Sequence, residues 1–354
     1  MRVGGRLDHI DSLRAVAALL VVWTHSAELF APGAGVSWWQ DIAQTFDFGR
    51  MGVVAFFGLS GFLIPKALDT GRADAGRAFV IRRLFRLVPA FWLSIPLGVL
   101  AVWALFQRPI APGDVALNFT MIPDAFGAQP VMGLYWTLEY ELAFYVAVLA
   151  LFKARVLQRP GAMATCTALL LAASVFGYAA TPLIHRQEAA DLGLVALNMG
   201  LLFLGALWRQ FLDGELKPGE RVVLVGALGL IWLAIPAACA WAIHVHGSAN
   251  PFFIRFPVAY AGGLALFIAM TSAVRVHWRP LAWVGMISYS VYLLHPVVIY
   301  ALRYAFDHRS AGAGWPVGFQ MLAAAILSIT VAAVAFYAVE RPAIALGRRL
   351  TAAT

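Results

Sequence analysis

The sequence predicts an all-α polytopic membrane protein of about ten transmembrane helices, with both termini in the cytoplasm. Three observations carry that expectation. Of 354 residues, 62% are hydrophobic and only 12% are charged, against about 25% charged in a soluble domain. Apolar runs long enough to cross a hydrocarbon core of about 30 Å recur along the whole chain. The Lys and Arg residues divide unevenly between alternating loops.

The first run, 10–30, reads IDSLRAVAALLVVWTHSAELF. Nothing in it resembles a cleavable signal peptide, so it is read as retained. Arg14 and His25 lie eleven positions apart, so on a helix they share one face, about 16 Å apart along the axis. An ionisable residue inside a span usually faces a cavity or a partner. The plainer reading is that Arg14 snorkels to the headgroups and His25 packs; the alignment of the pair favours a lined path. The following loop carries Trp38 and Trp39, natural interface anchors.

The second run, 51–68, is short enough to be tilted or partly re-entrant. Its FFGLSGFLI stretch holds Gly58, Ser60 and Gly61, which allow a close helix approach or a locally opened backbone. The third run, 84–106, follows RAFVIRRLFR, where Arg82, Arg83 and Arg86 gather at the cytoplasmic end. Guanidinium forks suit phosphate, although the positive-inside bias and anionic lipid also account for them. The loop 107–132 is the longest on the outside, and its Asp114, Asn118 and Asp124 are candidates for part of an acceptor site.

The fourth run, 133–152, contains Glu139 and Glu141, about 200° apart and therefore unable to serve one site from one regular face. Runs 162–182, 192–212, 222–245 and 252–274 are read as spans on length and apolarity. Cys166 and Cys239 fall inside apolar runs without partner spacing, so neither a disulfide framework nor a metal site is expected. The ninth run, 281–304, places Ser288, Tyr292 and His295 at i, i+4 and i+7, one polar stripe on an apolar helix. The tenth, 317–339, ends in VERP, where Glu340 is expected to pair with an inner Arg. No repeat and no separate soluble segment interrupts these runs, so 1–354 reads as a single integral membrane domain.

With the N-terminus inside, the inner ends take 19 of the 26 Lys and Arg residues, the outer ends 6, and Arg14 is the last. The net charge of +8 therefore reports topology rather than nucleic-acid binding. Depth then brings separate stripes together. His25 and His295 lie about 22 and 21 Å above the inner starts of their helices, and Glu141 about 18 Å above the inner face. Arg14, Arg83 and Arg86 lie near the cytoplasmic side. Such a layout suits a phosphorylated donor from inside and an acceptor from outside.

In these motifs the chain resembles the membrane acyltransferase-3 family, the O-acyltransferases that modify surface polysaccharides and some small glycosylated molecules. The resemblance rests on Arg14 with His25, FFGLSGFLI, Arg83-x-x-Arg86, WTLEYELAFY, SYSVYLLH and the terminal GluArgPro, and it covers essentially the whole chain. It implies an acyl-CoA donor, usually acetyl-CoA, a ten-helix core in the inner (plasma) membrane, a carbohydrate or glycolipid acceptor, and essential roles at Arg14, His25, Arg83 and Arg86. By motif, Glu141 is the family glutamate. Glu139 stands where a small polar residue is usual and Leu142 where a second acidic one often stands, so Glu139 is left out of the site. Many members carry a fused extracytoplasmic esterase-like domain; none is expected here.

The expected reaction is acyl transfer to a hydroxyl without a metal. Arg83 and Arg86, with Arg82 assisting, hold the CoA phosphates, and the pantetheine arm passes Arg14. His25 takes the alcohol proton. Glu141 orients His25 or an acceptor hydroxyl, Tyr292 or Ser288 donates to the developing oxyanion, and His295 shares their stripe. An acyl-His25 intermediate stays open, as does a homo-oligomer among the membrane lipids. A transporter or flippase for a lipid-linked sugar is the rival reading, but it calls for inverted repeats. A non-catalytic scaffold leaves the aligned polar stripes without a purpose.

Overall fold

The computed structural model describes residues 8–32, 37–68, 74–184, 187–246, 251–309 and 315–352. Arg2, Arg6, Arg72 and Arg186, used above for topology, lie outside the described residues. Every regular element among the described residues is helical. The first part of the chain gives α1 (Asp8–Phe30), α2 (Ser37–Phe46), α3 (Phe48–Leu63), α4 (Ala75–Gly98), α5 (Pro112–Asn118) and α6 (Trp136–Lys153). It continues with α7 (Ala162–Ile184), α8 (Gln187–Leu212), α9 (Pro218–Gly229), α10 (Ile235–His246) and α11 (Phe252–Ser272). The last part gives α12 (Arg279–Met286), α13 (Ser288–Arg309), α14 (Val317–Ala335) and α15 (Arg341–Leu350). Nine stretches among the described residues are long and apolar enough to cross a membrane, or ten if the bent pair α12–α13 counts as one.

Local chemistry sets the breaks. Asp11 and Asp8 sit in the first turn of α1, where carboxylates favour the positive end of the helix dipole. Pro stands in the first turn of α5, α9, α12 and α15, where its missing N–H costs nothing. Between α2 and α3, Asp47 adopts a positive φ of 45°. Its Oδ1 accepts from the Arg50 N–H at 3.1 Å, which caps α3. Single π-helical turns extend α4 (Val99–Ala104), join α9 to α10 (Leu230–Ala234) and join α14 to α15 (Phe336–Glu340). The ninth run departs most from a simple span: it bends by 74° at Ile287, between α12 and α13.

The helices divide into two compact units. The first comprises Met1–Gly52, Arg77–Glu139 and Ala273–Thr354; the second comprises Val53–Gly76 and Tyr140–Ser272.

In the first unit α1 packs against α12, α13 and α14, and α13 against α14. Ala27, Phe30, Ile299, Val317, Met321 and Ala324 form a buried core there. Gly285 of α12 presses on the backbone of α1, and a Cβ there would overlap the Asp11 carbonyl oxygen. The loop 107–132 is organised by Asn118. That fully buried amide donates to the carbonyls of Asp114 and Gln129 at 2.8 and 3.0 Å and accepts from the Val131 N–H at 2.9 Å. Asn118 is thus committed to holding the loop. Glu139 does similar work, accepting from the Asp124 N–H at 3.0 Å.

In the second unit α7 and α8 pack along each other. The FFGLSGFLI stretch is a close-approach seam: a Cβ on Gly61 would overlap the Leu202 carbonyl of α8. Trp208 of α8 donates to Thr271 of α11 at 3.0 Å. At the ends of α3 and α8, Asp213 accepts from Lys66 and from Arg209, the latter at 2.9 Å, while Lys66 reaches Glu215 at 3.3 Å.

Candidate active site

Both ends of α1 carry candidate side chains, and elements packed on α1 add others at each end. At the first, Arg14 Nη1 donates to Asp11 Oδ1 at 3.1 Å, one turn earlier on the same helix. Asp11 is 4% exposed, enclosed where Gly285 brings α12 against it. Arg83 and Arg86 of α4 both lie within electrostatic reach of Arg14. Arg86 and Arg14 also reach the buried Glu340 carboxylate, whose Oε2 accepts from Ser290 Oγ at 2.7 Å. Three guanidiniums thus gather with two buried carboxylates, within two turns of the start of α1. Arg82 faces elsewhere, with its Nε donating to Thr351 Oγ1 at 2.7 Å.

At the other end of α1, His25 has 48% of its side chain exposed, and its Nδ1 lies 3.2 Å from Glu28 Oε2. The ring stacks on His295 of α13, with centroids 5.4 Å apart and planes 19° from parallel. Arg303, two turns further along α13, donates to the Leu29 carbonyl at 3.1 Å and so caps the end of α1.

His295 is fully buried. Its Nδ1 lies 2.8 Å from the Tyr292 carbonyl and 3.2 Å from that of Val291. The Tyr292 hydroxyl meets Thr137 Oγ1 at 2.7 Å and the Leu134 carbonyl at 3.4 Å. Ser288 is buried at the first position of α13, just past the bend.

The structure therefore brings together His25, His295 and Tyr292 at one end of α1, and Arg14, Arg83 and Arg86 at the other. Glu141 belongs to the second unit, where it accepts from the Tyr145 hydroxyl one turn on. The carboxylate beside His25 is Glu28. Glu28 and Asp11 were not singled out from the sequence, although each lies three residues from its partner, the spacing of facing side chains on a helix. Ser290 carried no signal, because its partner is fifty residues away.

Chemically, one end offers clustered guanidiniums for a polyanion. The other offers two imidazoles, one reachable and one enclosed, beside hydroxyl donors. Among the described residues no group of His, Cys, Asp and Glu is arranged to hold a metal ion.

The family model described as "Acyltransferase domain" matches residues 7–338. The putative peptidoglycan O-acetyltransferase YrhL of Bacillus subtilis is 25% identical over 94% of this chain and 54% of its own length. The peptidoglycan O-acetyltransferase OatA of Listeria monocytogenes is 25% identical over 82% of this chain and 49% of its own. Nodulation protein 10 of Rhizobium leguminosarum is 27% identical over 98% and 96%. The chain thus spans about half the length of the first two relatives. No solved structure matches it.

Proposed function

The chain belongs to the acyltransferase-3 family, and from that premise we propose that it transfers an acyl group, with acetyl the best fit, from cytoplasmic acyl-CoA to a hydroxyl of a carbohydrate or glycosylated acceptor at the outer half of the membrane. The relatives named as O-acetyltransferases of peptidoglycan support that acceptor class. The observation that carries the reading is the two-ended α1. Arg14 sits among Arg83 and Arg86 at one end, and His25 stacks on His295 at the other. The two ends are about 16 Å apart along the axis, a span suited to an extended pantetheine arm.

In this mechanism Arg83 and Arg86 hold the CoA phosphates by charge-assisted hydrogen bonds, and Arg14 lines the way past them. Arg82 would have to leave Thr351 to join. The acceptor hydroxyl gives its proton to His25 Nε2 as its oxygen attacks the thioester carbonyl. Donors such as Tyr292 or Ser288 stabilise the oxyanion. The carbon–sulfur bond then breaks and the imidazolium returns the proton to the departing thiolate, leaving the ester and free CoA. The reading places the protein in the plasma membrane with both termini cytoplasmic.

The test is His25→Ala, with O-acetyl content of cell-surface glycans measured at equal membrane levels of folded protein. Loss of a general base lowers transfer by about 10²- to 10⁴-fold. Unchanged acetylation would remove His25 from the chemistry.

A further inference from the structure

His295 is followed by Pro296, which lies inside α13. A proline in a helix interior has no N–H to give the carbonyl four residues earlier. That carbonyl belongs to Tyr292, and it is the one His295 Nδ1 approaches most closely, at 2.8 Å. A carbonyl oxygen only accepts, so the ring carries its proton on Nδ1. The Val291 carbonyl at 3.2 Å reinforces the same assignment. Nε2 is then a bare lone pair. It is buried and has no hydrogen-bond partner among the described residues, although the residue is fully enclosed. Buried polar atoms are rarely left so, and an exception calls for a reason.

We propose that Pro296 is a positioning residue, holding His295 in the Nδ1–H form so that Nε2 accepts a hydrogen bond from a hydroxyl group of the acceptor beside His25. The proposal rests on the acyl-transfer reading and adds a second, distinct group to it. His25 takes the proton of the reacting hydroxyl, whereas His295 fixes where a hydroxyl sits. The site selects a ligand that can donate at that point, which fits a polyol and disfavours an aprotic acceptor. The 5.4 Å stack with the half-exposed His25 ring puts the lone pair next to a side chain that the acceptor can reach.

The incisive variant is Pro296→Ala. Alanine restores the N–H that competes for the Tyr292 carbonyl, while a helix interior tolerates alanine better than proline, so folding is preserved. Full-length protein in lipid nanodiscs, labelled with nitrogen-15 in its histidines, reports the tautomer; His295→Phe identifies the His295 signals by their loss. The expected result is a protonated Nδ1 and bare Nε2 in the parent at pH 7, and a mixture of tautomers in Pro296→Ala. Glycan O-acetylation in cells should fall about tenfold in Pro296→Ala, the scale of one well-placed hydrogen bond, with thermal stability equal or higher. His295→Gln, which keeps an acceptor at the ε position, should retain more activity than His295→Phe. A proton on Nε2 in the parent overturns the proposal, as does full acetylation in Pro296→Ala despite mixed tautomers. If His25→Ala retains activity, the base assignment fails instead. If His25→Ala is inactive while Pro296→Ala and His295→Phe match the parent, only the present inference fails.

Discussion

Arg14 is the residue on which the site's electrostatics turn. It stands with Arg83 and Arg86 within reach, and Asp11 is its direct carboxylate partner at 3.1 Å. Removing one member of a buried ion pair leaves the other uncompensated, which costs about 3–5 kcal/mol in a fully buried case. Here the Arg14 side chain is 24% exposed, so Asp11→Ala should destabilise by about 1–3 kcal/mol, between the buried and surface limits. A thermal melt in detergent checks this, and Asp11→Asn should recover part of the loss through its hydrogen bond. At this scale the sequence was legible for residues that are odd in their setting. Arg14, His25 and His295 stand out because an ionisable group in an apolar run demands a reason. Their partners did not stand out, since Asp11 and Glu28 sit near helix ends where acidic residues are unremarkable.

Among the elements, hydropathy located the spans but carried no information about direction. The ninth run reads as one continuous apolar segment, yet it turns by 74° at Ile287 without a proline or glycine at the break itself. Just before the break, Gly285 lets α12 press on Asp11, and α12 and α13 both pack on α1. Helix α2 falls in a stretch that reads as a loop from sequence, and its Trp39 packs near Trp23 of α1 and on the core of the first unit. The FFGLSGFLI stretch allowed two readings, an opened backbone or a packing seam, and the Gly61–Leu202 approach decides for the seam.

The charge cluster joining the ends of α3 and α8 has a definite pH signature. Burial raises the Asp213 carboxyl, but the hydrogen bonds and charges of Lys66 and Arg209 outweigh it and hold the group below its ordinary value of 3.8. Its contribution to stability is therefore fully present above about pH 4. It is lost as the pH falls through the lowered value. The melting-temperature gap between the parent and Asp213→Asn should stay constant from pH 7 to about pH 5 and shrink below about pH 4. A gap that persists at low pH would separate the cluster from stability.

For the whole molecule, the polytopic helical architecture and the family were legible in the sequence because membrane solvent imposes a strong, simple pattern. The division into two compact units was not legible, since it depends on which apolar faces meet. An acyltransferase and a sugar transporter separate at this scale by a single measurement. A ligand that binds only the folded state stabilises it by about 2.7 kcal/mol at 100 times its dissociation constant. Acetyl-CoA should therefore raise the melting temperature of purified protein, and Arg83→Ala with Arg86→Ala should abolish the rise. No shift in the parent would favour a protein that handles sugars without CoA.

The packing of α1 against α12, α13 and α14 also has a consequence for biogenesis. Helix α1 finds these companions in helices made about 250 residues after it, which at ribosomal speed is about 12–50 seconds. Through that interval Arg14 and His25 have their own-helix partners Asp11 and Glu28 but lack Glu340 and His295. A nascent chain stopped after α11 should accordingly be a better target for membrane quality control than one stopped after α14.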